Sequence, residues 1–223
     1  MEMLKESYRR LRKIKWRIDA RSGFLRYRAT TNQPRLQIGG GPNVLSGWFN
    51  TDLYPWRAAT GLFHLDATKS FPFPSESFHH VFTEHVIEHL ERADALRMLA
   101  ECRRVLKRGG RIRVSCPNLE TIAGLYLTPR TAQQESYMRE VIDRFQPGER
   151  SLPGYVVNQL FDLGHQFLYD GETLQEALNR AGFVNVVPER PGASADPVFS
   201  GIDAHGGDYI AFESLILEAE RPG

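Results

Sequence analysis

Leu36-Gln37-Ile38-Gly39-Gly40-Gly41-Pro42-Asn43 is the stretch that decides the fold. A short apolar segment runs straight into a glycine triplet, and a strand ending in a glycine-rich turn opens an α/β nucleotide-binding unit. Glycines there let the backbone approach a ligand closely and turn its amides towards it. The dinucleotide pattern G-x-G-x-x-G needs a third glycine for close packing of helix on strand. Val44 stands in that place, so a pyrophosphate-binding turn is disfavoured.

Working outward, Trp48-Phe49-Asn50-Thr51 reads as a second strand ending at Asp52, and Gly61–Leu65 as a third ending at Asp66. A carboxylate closing the second strand can accept both hydroxyls of a ribose, and one closing the third can accept from an adenine amine. Phe78–Thr83 is a fourth strand. Leu96, Leu99, Cys102 and Leu106 then share a helix face, with Gly109-Gly110 placed to end it. Arg111–Ser115 alternates as a fifth strand. Asp170 is a candidate N-cap for a helix carrying Leu174, Ala177, Leu178 and Ala181, stopped by Gly182. Phe183–Val187 and Ser214–Glu218 look like closing strands, joined by a Gly/Asp-rich loop from Pro191 to Asp208. The alternation of strand and helix predicts a mostly parallel sheet covered on both faces.

Residues 119–165 break the rhythm. They hold one helix pattern (Tyr137, Val141, Ile142, Phe145) and follow a strand's carboxyl end, where α/β folds bind ligands. A substrate cap is expected there.

The chain has 223 residues, 41% hydrophobic and 25% charged, which excludes collagen-like and wholly disordered classes. Its two cysteines make no disulfide framework, and no apolar run is long enough to span a bilayer. A cytoplasmic protein is expected, with peripheral membrane association as an extension. Residues 1–30 form a basic arm, ten Lys/Arg against three Asp/Glu for a net of +7, leaving −6 for residues 31–223. Leu4, Tyr8, Leu11, Ile14 or Lys15, and Ile18 fall on one helical face. The arm is expected to dock by that stripe and leave a solvated charged face. Contact with an anionic membrane surface, an acidic polymer or nucleic acid is the functional alternative.

His85-x-x-Glu88-His89 matches the inverted zinc-protease motif. That chemistry needs the motif inside a helix, and here it leaves a strand, so no metal is expected.

Leu36–Gly41, Asn50-Thr51-Asp52-Leu53, Asp66 before Phe71-Pro72-Phe73, and Phe82-Thr83-Glu84-His85-Val86-Ile87-Glu88-His89-Leu90 resemble the class I S-adenosylmethionine-dependent methyltransferases. The closer similarity is to type-11-like methyltransferases of polysaccharide and cell-surface glycan biosynthesis. Arg104–Gly110 and Tyr169–Phe183 resemble the same family's approach to its fifth strand and its C-terminal helix and strand. The resemblance implies a Rossmann-like, doubly wound, seven-stranded sheet, mostly parallel with the last strand antiparallel, over residues 31–223. It implies S-adenosyl-L-methionine as cofactor. Gly39 and Gly41 would pass beneath its methionine part, with Asn43 in the same turn. Asp52 would hold the ribose diol and Leu53 lie against the adenine. Asp66 and Ala67 would face the adenine edge, while Glu84 and His85 line the crevice near the methyl. Glu88 and His89 would fix the start of a helix. Gln37 stands where the class has an acid, Asn43 where it has a glycine, and His79 where it has an aspartate.

The expected reaction is methyl transfer to a hydroxyl of a sugar or glycan-related small molecule, with no specific nucleic-acid partner. A hydroxyl acceptor wants a base titrating near the working pH, which suits histidine. His165, after the insertion, is the first candidate and His85 the second. His64, His79, His80 and His205 have no comparable claim. The rivals are a non-catalytic S-adenosylmethionine-binding or partner-binding protein, and an NAD(P)-dependent oxidoreductase. Oligomeric state is not legible.

Overall fold

The computed structural model describes residues 2–55, 61–203 and 207–223, with backbone alone for residues 2–10 and 13. His205 therefore lies outside the described residues. Five parallel strands, β1 (Arg35–Ile38), β2 (Phe49–Asp52), β3 (Leu62–His64), β4 (Phe78–Glu84) and β5 (Leu106–Pro117), are joined by β6 (Val184–Glu189) and β7 (Ser214–Glu220). The order is β3-β2-β1-β4-β5-β7-β6, with β7 antiparallel to both neighbours. This is the Rossmann-like sheet expected from the sequence.

Alternation in the strands sorts the side chains between two unlike faces. Thr51, Ile38, Thr83, Val114 and Leu217 lie in register on one face, under helices α1 (Glu2–Arg28), α2 (Arg92–Val105) and α6 (Gly171–Arg180). Asn50, Gln37, Phe82, Arg113 and Glu218 form the neighbouring row on the other. Only ten residues separate β1 from β2, too few for a crossover helix plus its turns. That second face is instead covered by the irregular segment 190–203. Its Phe199 and Ile202 pack with Trp48 and Phe82. Arg113, fully buried, clamps the segment through the carbonyls of Arg190 and Ala193, and pairs with Asp203 (2.8 Å) and Glu218 (2.6 Å).

Four expectations need correction. The described part of the α1 stripe does not dock: Leu11, Ile14, Lys15 and Ile18 are exposed, as is Leu25, while Trp16, Ala20, Gly23, Phe24 and Tyr27 face the sheet, and Leu4 and Tyr8 lie outside the described side chains. Phe24 packs among Phe49, Phe73 and Phe78, aromatic anchors stronger than the aliphatic stripe. Helix α2 ends at Val105 rather than at Gly109-Gly110, because Leu106 already adopts extended backbone and begins β5. The insertion holds three helices, α3 (Leu119–Gly124), α4 (Ala132–Phe145) and α5 (Pro153–Asp162), where one is expected. Between the expected Pro191–Asp208 loop and β7 stands an unexpected helix, α7 (Gly207–Glu213), whose Tyr209 and Phe212 pack on the small core of the insertion. The Asp170 N-cap is present as a capping box with Thr173.

Candidate functional site

The glycine turn follows β1 directly. Gly39 has φ +72°, and a Cβ there would fall 2.1 Å from Val86 Cγ2. Gly41 (φ +48°) has nothing within 4 Å of such an atom. Gln37 holds the turn from beneath: its Nε2 donates to the Asn43 carbonyl at 2.9 Å. Its buried Oε1 accepts from no donor. Asp52 closes β2 with both oxygens engaged, Oδ2 accepting from the Gly41 amide at 3.0 Å and Oδ1 from the Tyr54 amide at 2.6 Å. Asp66 ends the segment after β3 and accepts from the amide and hydroxyl of Thr68.

The expected single crevice is divided in three. One cavity of about 480 Å³ is lined by Gly39, Gly40, Gly41, Asn43, Glu84 and His85. A second of about 480 Å³ holds Leu53 and Asp66, with Trp16 and Arg17 of α1 forming a wall. Asp52 ties the two together, through Gly41 on one side and Tyr54 on the other. Ala67 is buried in the main core and lines neither. The third cavity, of about 210 Å³, lies under the insertion and is lined by His85, His89, Tyr137, Gln159, His165 and Glu213 among others. It meets the glycine cavity at His85, Tyr209 and Ile210, which line both.

His85 occupies the left-handed region (φ +49°), where the chain turns sharply off β4. Its Nδ1 lies 3.1 Å from Glu88 Oε1, and its buried Nε2 has no hydrogen-bond partner. Burial pushes its imidazole pKa down, but the facing Glu88 carboxylate pushes it up, and the net is upward. His165 is only 8% exposed, and burial drives its pKa down to about 4. Glu213 is pushed up by burial and accepts the Tyr137 hydroxyl.

Glu88 and His89 do not start a helix as expected. They form a 3-10 turn over Ile87–His89, and α2 begins at Arg92 with no side-chain cap. Sequence reasoning missed Tyr137, Gln159, Tyr209 and Glu213, which reach the site from the insertion and from α7. Of these, only the Tyr137 helix pattern was a signal. His79 lies at the opposite end of β4, its Nε2 3.3 Å from Lys107 Nζ. His80 pairs with Asp196 at 3.0 Å, and the His64 ring packs on Trp16 at 4.3 Å. None of the three lines the glycine cavity, although His64 lines the cavity of Asp66.

A family model for the methyltransferase domain matches residues 51–114, from the end of β2 through most of β5. No curated protein sequence matches the chain. Among solved structures, a SAM-dependent methyltransferase from Archaeoglobus fulgidus superposes with a TM-score of 0.53 and 16% identity, covering 96% of this chain and 99% of that one. Phosphoethanolamine N-methyltransferase 2 of Haemonchus contortus, in complex with S-adenosyl-L-methionine, gives 0.52 at 15% identity, covering 86% of this chain and 49% of that one. The same enzyme with phosphomonomethylethanolamine and S-adenosylhomocysteine gives 0.51 at 16%, covering 86% and 50%. The chain thus spans about half the length of the Haemonchus enzyme. The methyltransferase-domain match covers the middle of the sheet, and the superposition gives this chain the fold of these S-adenosylmethionine-dependent methyltransferases.

Proposed function

We propose that the protein transfers the methyl group of S-adenosyl-L-methionine to a hydroxyl of a sugar or glycan-related small molecule. The observation that carries this reading is the junction of two cavities at His85. One is lined by the glycine turn that suits the amino-acid end of the cofactor, the other by rings and polar side chains suited to a small polar acceptor. The unpartnered Gln37 Oε1 beside the turn is the kind of atom an ammonium group satisfies, although a neutral amide holds it less firmly than an acid would.

Bound there, the cofactor supplies an activated methyl on a sulfonium, so the protein's task is alignment. Gly39, Gly41 and Asn43 shape the seat of the methionine part. Asp52 receives the ribose diol, and Leu53 and Asp66 serve the adenine. His85 lines both cavities, whereas His165 lines only the acceptor side. On that geometry His85 is the residue that takes the proton from the acceptor hydroxyl, with Glu88 fixing its ring. The test is incubation of the full chain with S-adenosylmethionine and a panel of monosaccharides and nucleotide sugars, read by mass spectrometry. A methylated sugar supports the reading. Methylation confined to amine or carbon acceptors overturns the hydroxyl assignment.

The arm has a reading of its own, a peripheral contact with an anionic membrane surface. Leu11, Ile14, Ile18 and Leu25 form an exposed stripe, with Lys15 and Arg21 exposed beside it. That is the composition of an interfacial helix. No described helix is long and apolar enough to cross a membrane. Co-sedimentation with vesicles containing anionic lipid, lost in the double variant Leu11→Glu/Ile18→Glu, supports the contact. Equal sedimentation with and without anionic lipid overturns it.

A further inference from the structure

We propose that Glu88, His89 and His165 bind one divalent first-row transition-metal ion at the wall of the acceptor cavity. One ligand atom from each residue lies within 4.8 Å of the other two. Ligands about 2.1 Å from a shared ion stand roughly 3–4 Å apart, so modest side-chain adjustment closes the set.

Two features of the backbone bring the residues together. The 3-10 turn over Ile87–His89 places Glu88 and His89 side by side in sequence on a tight bend. The Glu88 carbonyl accepts the amides of Gln166 (2.7 Å) and Phe167 (3.2 Å), which pins the segment carrying His165 against that bend. The His89 and His165 rings then meet edge to face, 4.7 Å between centroids.

The independent observation is a concentration of unsatisfied buried groups. The Glu88 side chain is fully buried, and neither carboxylate oxygen accepts a hydrogen bond. His165 Nδ1 is also buried without a partner. Buried polar atoms are nearly always paired, and a buried carboxylate needs a cation or strong donors. His85 Nδ1 stands 3.1 Å from Glu88 Oε1 without hydrogen-bond alignment, which leaves Oε2 unanswered. A cation held between the carboxylate and the two imidazoles answers all of these at once.

Two nitrogen ligands and one oxygen favour Zn²⁺ or Co²⁺ over Mg²⁺ or Ca²⁺. His89 and His165 line the acceptor cavity, so the remaining coordination positions open towards it. An acceptor hydroxyl reaching such an ion would be oriented and polarised beside His85. That role rests on the methyl-transfer reading, but binding of the ion does not.

The test uses the untagged full chain, stripped with chelator and titrated with Co²⁺ (followed by visible absorption) and Zn²⁺ (followed by calorimetry), with Mg²⁺ for comparison. One equivalent of Co²⁺ or Zn²⁺ is expected. Affinity should fall by about tenfold or more in His89→Ala and His165→Ala, with melting temperature and S-adenosylhomocysteine binding retained. His89 is exposed, so its replacement keeps the test valid should His165→Ala fail to fold. No stoichiometric binding by the folded chain, or binding unchanged in His89→Ala, overturns the site. S-adenosylhomocysteine binding without metal binding removes only this inference, and metal binding without S-adenosylhomocysteine binding removes only the methyltransferase reading.

Discussion

The Asp52 carboxylate accepts the Gly41 amide at 3.0 Å, so the end of β2 holds the glycine turn after β1 in place. That side chain lines neither cavity itself and acts through the Gly41 amide on one side and the Tyr54 amide on the other. Asp52→Ala should weaken S-adenosylhomocysteine binding by roughly 10–100-fold, the value of a charge-assisted hydrogen bond. Asp52→Asn, which keeps one acceptor oxygen, should lose less. Calorimetry on both variants checks the order. Equal affinity in wild type and Asp52→Ala contradicts the assignment.

The two outer glycines of the turn should respond differently to alanine. At Gly39 the added methyl meets Val86 at 2.1 Å on a φ of +72°, so folding itself is penalised, by about 2–3 kcal/mol or more. At Gly41 the methyl meets nothing and only the backbone strain of about 1 kcal/mol remains. Gly41→Ala should therefore fold but lose cofactor affinity, since its methyl enters the cavity. Melting curves alongside ligand titration separate the two.

His85 occupies backbone that asparagine tolerates better than most residues, so His85→Asn removes the imidazole with least strain. We expect kcat to fall by about 10²–10⁴-fold with S-adenosylhomocysteine affinity nearly unchanged. A kcat within threefold of wild type would move the base elsewhere.

Arg113 sits between Asp203 and Glu218 with no exposure. Removing it leaves buried Asp203 without its cation and Glu218 with Arg111 alone (2.8 Å), so Arg113→Leu should destabilise the chain by about 3–5 kcal/mol. The triple variant Arg113→Leu/Asp203→Asn/Glu218→Gln should recover part of that loss. Denaturant unfolding measures both. Recovery absent from the triple variant would mean that the carbonyl clamp on residues 190–203, and not the charges, holds the second face.

Glu101 is held below the usual carboxylate range chiefly by its hydrogen bonds from Arg104, against a partial cost of burial. A carboxyl lowered on folding adds stability above its unfolded pKa, and that contribution is lost as pH falls through the folded value. Glu101→Gln should therefore lower stability at neutral pH and flatten its decline on the acid side. Thermal melts from neutral to acid pH check the slope.

Local chemistry explains how much of this was legible in sequence. The glycine turn, Asp52, Asp66 and the Asp170 cap each declare themselves within a few residues, because each exists to solve a local backbone or ligand problem. The three-helix insertion, the docking face of α1 and the role of α7 are set by what they pack against. Periodicity shows that α1 has an apolar stripe, but not that Phe24 finds a better partner on the sheet than Leu11 or Ile18 would. The Glu88–His89–His165 cluster unites residues some seventy-five positions apart, joined by two amides on one carbonyl. Its sequence motif also lies on a 3-10 turn, outside the helical setting that gives such motifs their usual meaning.

The most direct measurement is calorimetric titration of the purified full chain with S-adenosylhomocysteine and, separately, with NADH. The account predicts saturable binding of the first at one site per chain, weakened in Asp52→Ala, and none of the second. Binding of NADH without binding of S-adenosylhomocysteine would contradict it.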